Sequence, residues 1–256
     1  MSDGMLKVYP SDLDGFDYYK NNSSMRDSQY IRRICRLDPP SQPMLAGTAF
    51  HMLMENRAQG KSDPIALYTE YGENSQGMKV TGVRRYGFEF KKDFEIPKAQ
   101  LTEFRVRRMI EEGSEPALIA GRADGLTGNT LLEWKTTGRV NLEKYIDSWQ
   151  WKTMLSCDDS YERLKYYIFQ VRSKENQGRT VVDKEKKTVL YQDDVLCEIL
   201  DMKPLEVKRY SGMTGEVDEF CVQYLETLLK WEKEGLIVRQ YNPRFGWNPG
   251  PNFQDL

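Results

Sequence analysis

The sequence predicts an α/β domain with a mixed central β-sheet flanked by helices, on three observations. Two strand patterns, 117–124 and 130–135, are joined by the short link Leu126-Thr-Gly-Asn129, which makes them an antiparallel hairpin. A helical stretch starting near Asn141 and running to about Cys157 separates the second of these strands from an apolar one at Lys165–Arg172, and such a crossover suits a parallel pair. Helical patterns precede and follow the strands, so the sheet is flanked by helices.

The elements follow in order. Residues 1 to 42 read as helices and loops, with Ser11 and Ser23 or Ser24 as N-caps, closed by Pro39, Pro40 and Pro43. A helix spans Met44–Arg57, with Leu45, Ala49, Met52 and Leu53 at helical spacing. Residues 59 to 80 read as a polar connector, and 86 to 100 fit no single pattern. Phe104, Val106 and Arg108 alternate with charged neighbours, which predicts a strand before the hairpin. After the strand at 165–172 a charged loop is expected over 173–187, then strands at 188–192 and near 204–210. A long amphipathic helix covers Val217–Lys233, and the Pro-, Gly- and Asn-rich tail 241–256 reads as irregular. The expected organisation is one domain over 1–256, with a helical part to residue 60 and an α/β core over 86–240.

Composition narrows the function classes. Hydrophobic residues make up 39% and charged residues 30% of the 256, enough apolar material for a sizeable core. The net charge of -2 lacks the basic excess of a passive DNA-binding module; it fits better a site rich in carboxylates that draws positive charge from metal ions. Local basic runs stand out at Arg105-Val-Arg107-Arg108 and Lys184–Lys187, and solvated faces account for such runs most simply. Cys35, Cys157, Cys197 and Cys221 form no CxxC pair, so no zinc ribbon or redox motif is signalled. The chain opens without a signal-peptide pattern, and no apolar run reaches the ~18 residues of a membrane helix; a soluble protein of a reducing, cytoplasmic compartment is expected. With His51 as the one histidine, no metal site built on two histidines can exist.

The chemistry concentrates in Gly121-Arg-Ala-Asp124 and Leu131-Leu-Glu133-Trp-Lys135-Thr-Thr137. Glu133 and Lys135 lie two apart on one strand and share a face, while Leu132 and Trp134 point the other way. Asp124, at the end of the preceding strand, can meet that face across the hairpin. Carboxylate oxygens are the natural ligands of a hard ion such as Mg²⁺, and an ammonium beside them can act on a water or on phosphate charge. By itself the pattern also fits an ordinary strand with surface charges.

Its surroundings add Gly47-Thr-Ala-Phe-His51 on the preceding helix, Glu103 on the strand before the hairpin and Gln150 on the helix after it. In this order the residues resemble the RecB- and RecE-like branch of the PD-(D/E)xK nuclease superfamily, related to the phage lambda exonuclease: a GxxxH helix, an upstream Glu, an Asp, an (D/E)xK strand and a Gln-bearing helix. The match covers roughly residues 45 to 170. It implies a restriction-endonuclease-like core and a metal-dependent DNA exonuclease that resects DNA ends for recombination or replication, with a flap or single-strand endonuclease, or an inactive binding and assembly protein, as the alternatives.

Residue by residue, the resemblance implies that Asp124, Glu133 and the Trp134 carbonyl bind Mg²⁺, or Mn²⁺ in its place, with His51 as a further ligand. Glu103 would serve a second metal or hold the geometry, Lys135 would act on the nucleophilic water, and Gln150 would contact DNA or the lysine. The family's QxxxY pattern departs here, since Met154 stands four residues after Gln150. Ser24 and Arg26 would bind a 5′-phosphate. Some relatives hold an iron–sulfur cluster by one early Cys and three late ones; Cys197 and Cys221 lie far apart without a C-terminal trio, so no cluster is expected. The resemblance also implies DNA as partner, a homo-oligomeric ring, a single-strand annealing protein, and the bacterial host cytoplasm for a phage-encoded chain. Other readings stay open: His51 as a satisfied core histidine, Glu103 and Gln150 as surface residues, Glu55 as solvated, and Trp149 and Trp151 as packing rather than base-stacking groups.

Overall fold

The computed structural model describes residues 5–38, 40–63, 66–73, 79–95, 98–183, 188–239 and 247–253. Its central sheet has eight strands: β1 (Leu6–Val8), β2 (Ala66–Glu73), β3 (Lys79–Phe90), β4 (Leu101–Ile110), β5 (Ala117–Thr127), β6 (Thr130–Thr137), β7 (Arg163–Asp183) and β8 (Thr188–Lys208). They run in the order β1-β5-β6-β7-β8-β3-β2, with β4 on the other edge of β5. β6 pairs parallel with β7 and β3 with β8, while β4–β5, β5–β6, β7–β8 and β2–β3 are antiparallel. The expected mixed α/β sheet is therefore present.

Helices cover both faces. On one side lie α1 (Pro10–Asn21), α2 (Asp27–Ile34), α5 (Trp149–Leu155) and α6 (Met213–Lys233); on the other lies α3 (Gln42–Ala58). The two-residue alternation of the strands sorts the core accordingly. Val106, Ile119, Leu131 and Ile168 pack with Leu13, Phe16, Ile31, Leu155, Val217 and Trp231. Trp134, Phe169 and Ile199 pack with Phe50, Leu53 and Met54 of α3. Each such buried chain contributes about 1.5–3 kcal/mol of transfer free energy. All four cysteines are buried and free.

Several expectations need correction. Tyr9 and Arg26, not Ser11, Ser23 or Ser24, precede α1 and α2; Pro10 at the first turn presets the backbone for α1. Met52 of α3 is exposed although it matches the helical spacing of its neighbours. The connector expected over 59–80 holds β2 and the start of β3, and the strand expected to end at Asp124 runs on to Thr127. The helix expected from Asn141 to Cys157 is broken into a short turn, α4 (Glu143–Ile146), and α5, with Ser148 capping α5 by accepting from the Gln150 N–H. Where a charged loop was expected after Arg172, β7 continues to Asp183, and the two later strand patterns are one strand, β8. The stretch Ser173–Arg179 has no apolar residue and so no apolar alternation to mark it as a strand. The helix expected from Val217 begins at Met213. In the tail, β10 (Trp247–Pro249) pairs with β9 (Ile237–Arg239). Lys184–Lys187, Pro39 and residues 241–246 lie outside the described residues. Among the described residues no helix is long and apolar enough to cross a membrane.

Candidate active site between two splayed strands

β5 and β6 pair only at the hairpin end, where Gly125, Leu126 and Thr127 meet Leu132, Leu131 and Thr130. Beyond that point the strands part. The hairpin turns tightly through Gly128, whose φ of 57° lies in the left-handed region that glycine adopts without strain. The separation opens a gap at Asp124 on β5 and at Glu133 to Lys135 on β6.

The gap is closed by side chains. Asp124 Oδ2 accepts the Trp134 backbone N–H at 2.7 Å, standing in for a ladder bond. In extended backbone the N–H and C=O of one residue face the same neighbouring strand, so the Trp134 carbonyl also faces the gap. Asp124 Oδ1 lies 2.8 Å from Nδ1 of His51, which α3 presents one turn after Gly47. A Cβ on Gly47 would sit 3.3 Å from the Thr136 hydroxyl, so the glycine lets α3 approach β6 closely.

Glu133 and Lys135 enter from the other sheet face, that of Leu131. Their carboxylate and ammonium are 2.8 Å apart, and Gln150 Nε2 of α5 donates to Glu133 Oε2 at 3.3 Å. The second oxygen, Glu133 Oε1, is buried without a hydrogen-bond partner. A buried carboxylate oxygen left unpaired is costly, so this atom is suited to a ligand. Side-chain exposure rises from 2% at Glu133 and 10% at Asp124 to 23% at Lys135 and 33% at His51, so the gap opens to solvent on the His51 side.

Electrostatics follow from burial and crowding. Burial, then the charge of Asp124, push the Glu133 carboxyl up to about 7, with Lys135 acting in the opposite sense. Burial disfavours the charged forms of Lys135 and His51, but the carboxylates outweigh it: Glu133 and Asp124 raise Lys135, and the hydrogen bond and charge of Asp124 raise His51. The site thus sets two carboxyl groups, Asp124 and Glu133, beside an ammonium and an imidazole.

Glu103 lies on β4 between Thr102 and Phe104, which pair with Gly125 and Ala123 on either side of Asp124. Its φ of 54° is strained for a non-glycine residue, and its carboxylate pairs with Arg122. Burial raises its pKa, Arg122 lowers it, and Glu55 and Asp124 raise it further, so Glu55 of α3 belongs to the same neighbourhood. In this arrangement no three His, Cys, Asp or Glu side chains among the described residues converge closely enough to hold a metal ion. The reason is visible: Asp124 is engaged by His51 and Trp134, and Glu133 by Lys135 and Gln150. The donor set itself, hard carboxylate oxygens with one buried orphan, a peptide carbonyl and one imidazole, suits a divalent ion such as Mg²⁺ or Mn²⁺.

The structure thus brings together Asp124, Glu133, Lys135, His51 and Gln150, with Glu103 at the rim. It does not bring Ser24 and Arg26 to them: both stand exposed at the α1–α2 turn, where Ser24 bonds Asn22 and the Arg26 N–H bonds Gln29. Trp149 stacks on Phe220 at 3.9 Å and Trp151 donates to the Ile146 carbonyl, so both rings are packing groups. Met154, where the resembled pattern has Tyr, is buried in the core.

One residue went unnoticed in the sequence. Asp14 of α1 accepts the Trp149 N–H at 2.6 Å and the Ser148 hydroxyl at 2.9 Å, and so fixes the start of α5 one residue before Gln150. Burial raises its pKa, the Ser148, Trp149 and Gln150 hydrogen bonds lower it, and Lys135 is close enough to lower it too. Gly121 makes this reach possible: a Cβ there would lie 2.9 Å from Val106 and 3.1 Å from Pro10, the first residue of α1. The glycine was noted beside Asp124, but only the packing of α1 shows its role.

No protein-family model and no curated protein matches the sequence. Among solved structures, the crystal structure of SSO0001 is similar at a TM-score of 0.43 and 13% identity, over 86% of this chain and 76% of the other. The crystal structure of LHK-Exo in complex with dAMP is similar at a TM-score of 0.39 and 15% identity, over 89% and 92%. Both likenesses are loose.

Proposed function

We propose that this chain is a metal-dependent nuclease of the PD-(D/E)xK type, acting on DNA ends as an exonuclease. The observation that carries the proposal is the gap between β5 and β6, where Asp124 and His51 from one sheet face meet Glu133, Lys135 and Gln150 from the other around an unpaired buried oxygen, Glu133 Oε1. A purely structural pair of strands would close such a gap with apolar side chains rather than bury a carboxylate without its full set of partners.

In this reading Asp124, Glu133 and the Trp134 carbonyl hold a divalent cation, with His51 as a further ligand. When bound, such an ion polarises a phosphodiester and lowers the pKa of water. Lys135 offers its ammonium to the attacking water or to the charge growing on phosphorus. Gln150 holds the Glu133 carboxylate in place, and Asp14 holds Gln150. Glu103, kept in position by Arg122, sets the rim of the site beside Asp124.

The test is cleavage of end-labelled linear duplex DNA beside a closed circle, in Mg²⁺ and in EDTA, for wild type and Lys135→Ala. Metal-dependent loss of the linear DNA alone, abolished by the substitution, is expected. Cutting of the circle would replace the exonuclease with an endonuclease on the same residues. No cleavage of either by the wild type would leave a binding or assembly protein and end the proposal.

A further inference from the structure

The basic run Arg105-Val-Arg107-Arg108 divides between two faces of β4. Arg108 turns toward α6, where Asp218 neutralises it with bonds of 2.5 and 3.1 Å. Arg105 and Arg107 stand on the opposite face, exposed, and among the described residues neither has an ion pair. The β4–β5 register sets Arg105 directly opposite Arg122 and Arg107 opposite Ala120. Cross-strand partners share a face at ~5 Å, and like charges so placed destabilise the pair by up to ~1 kcal/mol. Nothing in the packing of the sheet calls for two arginines there.

Among the described residues Arg105, Arg107 and Met109 on this face are exposed. α3 comes near it at the start of β4, where Glu55 lies by Glu103 and Gln59, just past the helix, donates to the Thr102 hydroxyl at 2.6 Å. Met109, further along, is 39% exposed. The arginines lead to the site. Arg122 pairs with Glu103, and Glu103 faces Asp124 and His51. At about 3.4 Å per residue, Arg107 lies roughly 7 Å from Arg105, and Arg122 roughly 7 Å from Asp124.

We propose that the outer face of β4 and β5 is a phosphate track: Arg107, then Arg105 and Arg122, bind the sugar–phosphate backbone of a DNA strand and lead it into the gap at Asp124 and His51. The proposal rests on the nuclease reading of that gap and adds where the substrate lies. Guanidinium groups on an open sheet bind phosphates bidentately and position a strand without reading its bases. A chain with a net charge of -2 concentrates its affinity for a polyanion in this local strip.

The test is fluorescence anisotropy of a labelled duplex, and of its single strand, in Ca²⁺ buffer between ~50 and ~200 mM salt. Wild type is compared with Arg105→Ser/Arg107→Ser and with the charge-keeping Arg105→Lys/Arg107→Lys, each checked by thermal melting. The serine pair is expected to bind about tenfold more weakly or worse. Its slope of log affinity against log salt should be shallower by about 1–2, and its melting temperature equal to the wild type's or higher. The lysine pair should keep the slope. Unchanged affinity and slope in the serine pair would overturn the track. So would aggregation with unchanged affinity, which would make the arginines guards of the exposed β4 edge, and so would a wild type that binds neither DNA. A wild type that binds with the expected slopes yet cuts nothing would sink the nuclease reading and leave the track standing.

Discussion

Replacing Asp14 by alanine isolates the contact between the N-terminal helix and the site. The carboxylate accepts the Trp149 N–H at 2.6 Å and the Ser148 hydroxyl at 2.9 Å, both partly buried. Losing an acceptor at a helix N-terminus costs about 1 kcal/mol, and a buried donor left without a partner costs about 1–3 kcal/mol. Ser148 still caps α5 through the Gln150 N–H, and the buried charge of Asp14, with its raised pKa, returns part of the loss. A net destabilisation of about 2–3 kcal/mol remains, which for a chain of this size lowers the melting temperature by roughly 4–12 °C. Asp14→Asn keeps one acceptor oxygen and should lose less than about 1 kcal/mol. Thermal melting followed by circular dichroism measures both variants. Under the nuclease reading, cleavage by Asp14→Ala, assayed well below its melting temperature, should fall in kcat more than it rises in KM, because Gln150 loses its fixed position against Glu133. A melting temperature within about 1 °C of wild type, together with unchanged cleavage, would refute the claim that α1 holds α5 in place.

Three further expectations concern other parts of the same framework. Gly121→Ala places a methyl 2.9 Å from Val106 and 3.1 Å from Pro10; the overpacking should cost about 1–3 kcal/mol, read from urea midpoints. Asp12 is half-buried, and burial pushes its carboxyl up to about 6 against the pull of the Tyr9 N–H and of Arg36 and Arg33. A raised folded pKa stabilises fully below the ordinary aspartate value and is lost as pH rises through about 6. Asp12→Asn, which mimics the neutral form, should therefore melt higher than wild type at pH 7, by on the order of 1 kcal/mol, and lose that advantage near pH 4. His51→Ala removes the group 2.8 Å from Asp124; under the nuclease reading, the Mn²⁺ or Mg²⁺ concentration for half-maximal cleavage should rise about 10–100-fold while melting without metal shifts by no more than a few degrees.

The readable parts of this fold were those governed by short-range rules. The hairpin carrying Asp124, Glu133 and Lys135 follows from a two-residue alternation and a glycine turn, and the crossover to β7 follows from an apolar strand after a helical stretch. The residues set in the gap by long-range packing were harder. Asp14 belongs to a helix more than a hundred positions before the α5 it caps, and nothing local marks it out. Spacing placed Glu133 and Lys135 on one face, but it did not show that Asp124 enters from the other through the parting of β5 and β6. The extended reach of β7 and β8 was hidden because the polar stretch Ser173–Arg179 lacks the apolar alternation by which a strand is read. The N-cap positions fall on Tyr9 and Arg26, not on the nearby serines; their side chains make no cap bond, and Asp12 and Gln29 of the first turns accept their backbone N–H groups instead.

The four cysteines carry a practical consequence. Each thiol is buried, and burial pushes those of Cys35, Cys157 and Cys221 up to about 12 and raises that of Cys197 as well. Since the thiolate is the reactive form, an alkylating or disulfide reagent should barely label the folded chain and should label all four sites once it opens. Cys35, Cys157 and Cys221 lie in the core on the α1, α2, α5 and α6 side of the sheet and Cys197 in the one under α3, so their labelling rates tell the opening of one side from that of the other. The chain carries its own set of internal stopwatches, without any introduced dye or mutation.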